Sequence, residues 1–208
     1  MDGTLIDAYQ AIISSFNFTM RCLKYPQQRG SVIRRSVGWG DENLLSPFVN
    51  SKDLKRALLI YRRHHKKALL RESHLFPHVA RLLGILKDKG YKLAVASNRP
   101  TRFSLFLIRH LKLDKYFSYI LCADRLKHIK PHPEILNKIM LRFNLKPSQV
   151  LYVGDMAIDA QAARSAGVKN IMVTTGSSTR RELVKEHPYR IIPRVWGLLK
   201  ILQKPILP

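Results

Sequence analysis

The sequence has little cysteine, little acid and no long apolar run. Two cysteines, Cys22 and Cys122, stand in 208 residues. They are too few for a disulfide framework and lack metal-ligand spacing around them, so both read as buried free thiols in a reducing cytoplasm. No uninterrupted apolar stretch reaches the length of a membrane span, and no charged-then-apolar leader is visible, which argues against a membrane protein. Asp plus Glu number 14 against 37 Lys plus Arg, a formal net charge of +23. Such a field attracts anions, either nucleic acid or phosphorylated metabolites. The densest basic run, Arg62-Arg63-His64-His65-Lys66-Lys67, sits in a helical stretch. Its spacing is read as spreading charge over several faces, so specific nucleic-acid binding is not expected.

What is present is a globular composition, 46% hydrophobic, with no repeat and no low-complexity segment. Residues 8–74 read as mostly helical, punctuated by Gly30, Gly38 and Gly40. The texture then changes to alternation. VARLLGILKDKG reads as a helix closed by Gly90, YKLAVASN as a buried strand, and 103–111 as a helix. FSYILCAD reads as strand, PEILNKIMLRFN as helix, VLYVGD as strand, AIDAQAARSAG as helix, NIMVTTG as strand and RVWGLLKILQ as a closing helix. Strands alternating with helices imply a parallel α/β sheet covered on both faces.

In open α/β sheets, functional groups gather beyond the carboxyl ends of the strands. There lie Ser97 and Asn98, then Lys130-Pro131, then Asp155 and Asp159. The opening turn Asp2-Gly3-Thr4 adds a carboxylate and a hydroxyl, and Asp7 reads as a helix N-cap. Carboxylates bind a hard cation such as Mg²⁺. A lysine, a small hydroxyl and backbone amides bind phosphate oxygens. Each piece alone has an ordinary reading: a surface turn, a helix cap, a solvated lysine. Their order and placement together give the composition of a phosphoryl-transfer site.

These motifs, MDGTLID, ASN at 96–98, KPHP at 130–133 and VGDMAIDAQAARSAG at 153–167, resemble the haloacid dehalogenase superfamily. The resemblance is to its phosphoglycolate-phosphatase-like branch with a helical cap. LFPHVARLLGILKDKGYKLAVASNRP is also similar, with His78 where a glycine is usual. The resemblance implies a Rossmann-like α/β core formed by residues 1–14 and 75–208, with an inserted helical cap at 15–74. The loop SVGWGDENLL is expected to touch substrate. The family motif is Asp-x-Asp-Gly-Thr: the first Asp attacks phosphorus and the second serves as acid and base. Asp2 matches the second and Met1 the x. The nucleophile is therefore expected one residue before Met1, on a central strand that these residues do not contain.

The resemblance further implies that Ser97, the Asn98 amide and Lys130 bind phosphate, with Lys130 also serving the chemistry. Asp2, Asp155 and Asp159 would hold Mg²⁺. The expected protein is a cytoplasmic phosphatase of a small phosphorylated metabolite, monomeric or homodimeric, and inactive as residues 1–208 alone. The alternatives are a mutase of the same superfamily, a non-catalytic phosphate-binding relative, and a basic nucleic-acid-associated protein.

Overall fold

The structure, a computed structural model, describes residues 1–203. The chain forms two compact units: Met1–Ile6 with Leu75 onward, and Asp7–His74. Strands β1 (Ile6–Asp7) and β2 (His74–Leu75) pair with each other, and the unit boundary runs through both.

The second unit is helical: α1 (Tyr9–Cys22), α2 (Gly30–Arg35), α3 (Asp41–Leu45) and α4 (Ser51–Glu72). Its core joins Ile12, Phe16 and Met20 of α1 to Ile33, Leu45, Ala57 and Tyr61. Those α1 positions recur every four residues, which places them on one helical face. All of α1 belongs to this unit, so the boundary expected after residue 14 lies at 6–7. Ala8, not Asp7, occupies the N-cap of α1. The Asp7 carboxylate still accepts from the Tyr9 amide at 3.2 Å. Cys22 is exposed, unlike buried Cys122, because it falls on the outer face of α1 near its end.

The first unit alternates strand and helix. After α5 (Val79–Asp88) come β3 (Ala94–Ser97), α6 (Thr101–His110), β4 (Tyr119–Cys122) and α7 (Glu134–Phe143). Then follow β5 (Leu151–Gly154), α8 (Ala157–Ser165), β6 (Lys169–Val173), α9 (Arg180–Lys185), β7 (Arg190–Ile192) and α10 (Leu198–Leu202). Gly90 ends α5 with φ of 81°, and the Tyr91 amide donates back to the Leu86 carbonyl at 3.1 Å. His78, at the N-cap of α5, has φ of 66° and ψ of 7°. That left-handed conformation is the physical reason a glycine suits this position.

All sheet pairings of the alternating elements are parallel, in two pieces: β3–β4 and β5–β6–β7. The pieces are not hydrogen-bonded to each other. A cavity of about 450 Å³ is lined by 94–96 of β3, 151–153 of β5, and apolar side chains including Leu82, Leu86, Ile139 and Phe143. Helices α7 and α8 cover one face, packing Ile135, Leu136, Ile139, Ala162 and Ala163 on Ala96 and Leu121. Strand β7 and helix α9 were absent from the sequence-based expectation.

Candidate active site

The carboxyl ends of β3 and β5, with the opening turn, bring the expected residues of the first unit together. The turn is tight: the Leu5 amide donates to the Met1 carbonyl at 2.9 Å, and the Gly3 amide to the Ile6 carbonyl at 2.8 Å. Gly3 takes φ of 74°, a value few other residues accept. The turn aims the Thr4 hydroxyl at Asp155, to which it donates at 2.6 Å.

Lys130 is 5% exposed, which excludes a solvated surface lysine. Its ammonium donates to Asp159 Oδ1 at 2.7 Å, to Tyr152 Oη at 3.0 Å and to the Ala96 carbonyl at 3.2 Å. Asn98 clamps the Lys130 backbone from both sides. Its Oδ1 accepts from the Lys130 amide and its Nδ2 donates to the Lys130 carbonyl, each at 3.1 Å. Burial by itself pulls an ammonium's pKa down, but the Asp159 charge outweighs it and raises that of Lys130. Burial likewise opposes ionisation of Asp159, yet Lys130 holds its carboxyl below the usual range. Tyr152 is raised, first by burial and then by the Asp159 charge.

Asp159 stands in the first turn of α8. Its Oδ2 accepts from the Asp155 and Met156 amides, each at 3.1 Å. With Oδ1 given to Lys130 and Tyr152, both its oxygens are engaged. Asp2 is turned toward Arg99, whose Nε donates to Asp2 Oδ2 at 2.9 Å. Ser97 lies buried at the end of β3, and its Oγ accepts from the Arg99 amide at 3.1 Å. Among the described residues, no three His, Cys, Asp or Glu side chains converge as a metal-holding group. The trio Asp2, Asp155 and Asp159 is therefore not a cluster of three ligands in this geometry. Arg99 draws off one carboxylate, and Lys130 with the loop amides draws off another.

Asp155 is different. It is 2% exposed, and its Oδ2 is buried without a hydrogen-bond partner. Burial, followed by the Asp159 charge, pushes its carboxyl up to about 7. Gly176 permits this arrangement, since a Cβ there would meet Asp155 Oδ2 at 1.9 Å. An unsatisfied buried carboxylate oxygen fits a hard cation, which would offset the burial that now favours its protonated form.

Sequence reasoning missed Tyr152, Arg99 and the side-chain role of Asn98. The first two adjoin recognised motifs, and the chemistry of a phenol or a guanidinium beside a carboxylate was the available signal.

A buried ammonium, a buried unsatisfied carboxylate and a hydroxyl beyond parallel strands are groups suited to phosphoryl transfer on an α/β sheet. Comparison with known proteins narrows the class. The model of the haloacid dehalogenase-like hydrolase family matches residues 1–173, and the chain belongs to that family. The chain is 30% identical over 212 residues to a phosphoglycolate phosphatase of Nitrosospira multiformis, spanning 98% of this chain and 93% of that protein. It is 28% identical over 229 residues to a phosphoglycolate phosphatase of Escherichia coli O157:H7, spanning 99% and 91%. A crystal structure of a predicted phosphoglycolate phosphatase from Haemophilus somnus superposes with TM-score 0.93 at 28% identity, covering 98% of this chain and 95% of that one.

Proposed function

We propose that the protein is a phosphatase of a small phosphate monoester, phosphoglycolate-like, acting through an aspartyl-phosphate. The observation that carries this reading is the Lys130–Asp159 pair beside Asp155, with Lys130 buried at 5% exposure. A buried ammonium so fixed offsets the charge of an anionic nucleophile meeting an anionic phosphate. Ser97 and the Asn98 amide bind the phosphoryl group beyond β3. Asp155, with its buried unpartnered oxygen, would hold Mg²⁺, and Asp159 supports the site by orienting Lys130 and the 155–156 amides. Bound Mg²⁺ supplies Lewis-acid stabilisation of phosphate charge. Asp2 donates a proton to the leaving oxygen and then accepts one from the attacking water, its carboxylate positioned by Arg99.

The attacking carboxylate in this reading is the first Asp of the motif Asp-x-Asp-Gly-Thr, one residue ahead of Met1. The test is to fuse ahead of Met1 a short β-branched apolar strand ending in Asp, and the same strand ending in Asn. Residues 1–208 alone are expected to give no turnover of p-nitrophenyl phosphate or phosphoglycolate with Mg²⁺. The Asp form is expected to gain turnover, and the Asn form not to. Equal hydrolysis by all three proteins would overturn the assignment.

A further inference from the structure

The basic run expected to spread over several faces does not do so. Helix α4, 22 residues long, turns His65 (1% exposed) into the core, and Arg62 pairs with Asp41 at 2.9 Å. Arg71, in the last turn, lies apart; the six cations before it, Lys52, Lys55, Arg56, Arg63, Lys66 and Lys67, are all exposed. At 100° per residue they fall, with the exposed Leu59 and Leu70, within an arc of about 120°. Lys52, Lys55, Arg56, Arg63 and Lys67 make no ion pair among the described residues. The two acids of α4 lie outside the arc: Asp53 accepts from Tyr25 Oη at 2.7 Å, and Glu72 accepts from Ser14 Oγ.

We propose that this face of α4 binds nucleic acid along its phosphate backbone, without reading sequence. This is a second binding function, independent of the phosphatase reading. Lys52 to Lys67 spans about 22 Å at 1.5 Å per residue. Over that length one strand of a duplex presents about six phosphates, which matches the six cations. Nothing on the face resembles the Asn or Gln forks that read adenine, and arginines on a flat helical ridge contact phosphate as readily as base. An anionic membrane is the poorer fit. An interfacial helix needs an apolar face to bury. Here Ala57, Tyr61, Ala68 and Leu69 are already in the core, and only Leu59 (71% exposed) and Leu70 (43%) remain outside.

The test is fluorescence anisotropy of a labelled random-sequence DNA duplex against salt. The parent protein is expected to show a slope of log K on log salt of about −5, from roughly −0.9 per phosphate. The variant Lys55→Gln/Arg56→Gln/Arg63→Gln/Lys67→Gln is expected to lose between three and four units of that slope, and roughly a hundredfold or more in affinity near 0.1 M salt. A charge-matched control, Lys89→Gln/Lys112→Gln/Lys127→Gln/Lys185→Gln, removes exposed lysines of the other unit and is expected to bind within about threefold of the parent. Circular dichroism melts of both variants check that each is folded. Equal losses in the two variants would reduce the effect to net charge and overturn the proposal. So would failure of the parent to bind duplex while it binds phosphatidylserine vesicles.

Discussion

Replacing Lys130 by methionine keeps the length of the side chain and removes the charge. The ammonium is 2.7 Å from Asp159 Oδ1, with side-chain exposures of 7% and 6% for the two residues. At that separation the attraction is about 6 kcal/mol with an effective dielectric constant of 20. Much of it offsets the burial of both charges, so the net worth of the pair is far smaller. Removing one partner is a different matter. It strands the Asp159 carboxylate with Tyr152 Oη and two amides as its remaining donors. Lys130→Met is therefore expected to lose about 3–5 kcal/mol of stability, a large share of a typical total of about 5–15. Lys130→Met/Asp159→Asn removes the stranded charge and is expected to recover more than half of that loss. Lowering the pH is expected to help the single variant more than the double, because protonating Asp159 neutralises the same charge. Urea unfolding of the parent, both singles and the double, closed as a cycle, measures the coupling. A loss under 1 kcal/mol in Lys130→Met would refute the buried-pair account, and a double variant no better than the single would refute the stranded-charge explanation.

The folded-state pKa of Asp155, about 7, lies above that of an unfolded aspartate, about 3.9. The folded protein therefore holds this proton more tightly; the contribution is complete below about pH 4 and is lost as pH rises through about 7. Asp155→Asn should accordingly melt increasingly above the parent between pH 5 and pH 8. Millimolar Mg²⁺ at pH 8 should raise the Tm of the parent and not of the variant. A flat difference across that window would count against the buried, unpartnered carboxylate. At His78, φ of 66° costs a side-chain-bearing residue about 1–2 kcal/mol, against about 0.5–1 for glycine's entropy. His78→Gly should thus be more stable than His78→Ala in urea titrations, by up to about 1.5 kcal/mol. Alanine equal to or better than glycine would show that the backbone there relaxes.

The strands β3 to β6 were legible because each is a short apolar run bounded by turn residues, and the helices between them carry apolar residues at helical spacing. Gly90 announced the end of α5 for a definite reason, its φ of 81°. Strand β7 was not legible: Arg190-Ile191-Ile192 is three residues long and follows a polar stretch. Helix α9 carried a signal that went unread, Thr179-Arg-Arg-Glu182, whose capping box forms with the Thr179 amide donating to Glu182 at 2.7 Å. Candidate residues could be placed from the sequence where they close or directly follow strands, as Ser97 closes β3 and Asp155 follows β5. Their partnerships were not. Arg62 and Arg63 are neighbours in sequence, but Asp41 selects only the first, and α4's outward face emerges only once His65 has been turned inward.

The division of the parallel strands also sets an order of persistence. Strand β6 is bonded on both sides, to β5 and to β7. Strands β3 and β5 are bonded on one side only, and their other sides line the apolar cavity. In a parallel strand, amides point alternately to the two sides. Adjacent residues of β3 and of β5 thus differ in what opening must break before solvent deuterium replaces the proton. Those turned toward β4 or β6 share the lifetime of a ladder, and those turned toward the cavity have only its apolar walls to keep water out. Exchange along these two strands is therefore expected to be periodic, slow and fast in turn, with β6 slowest at Ile171 and Met172, the residues in register with both neighbours. Among these strands the slowest-exchanging amides are accordingly expected in β6, on the side of Asp155 and away from Ser97.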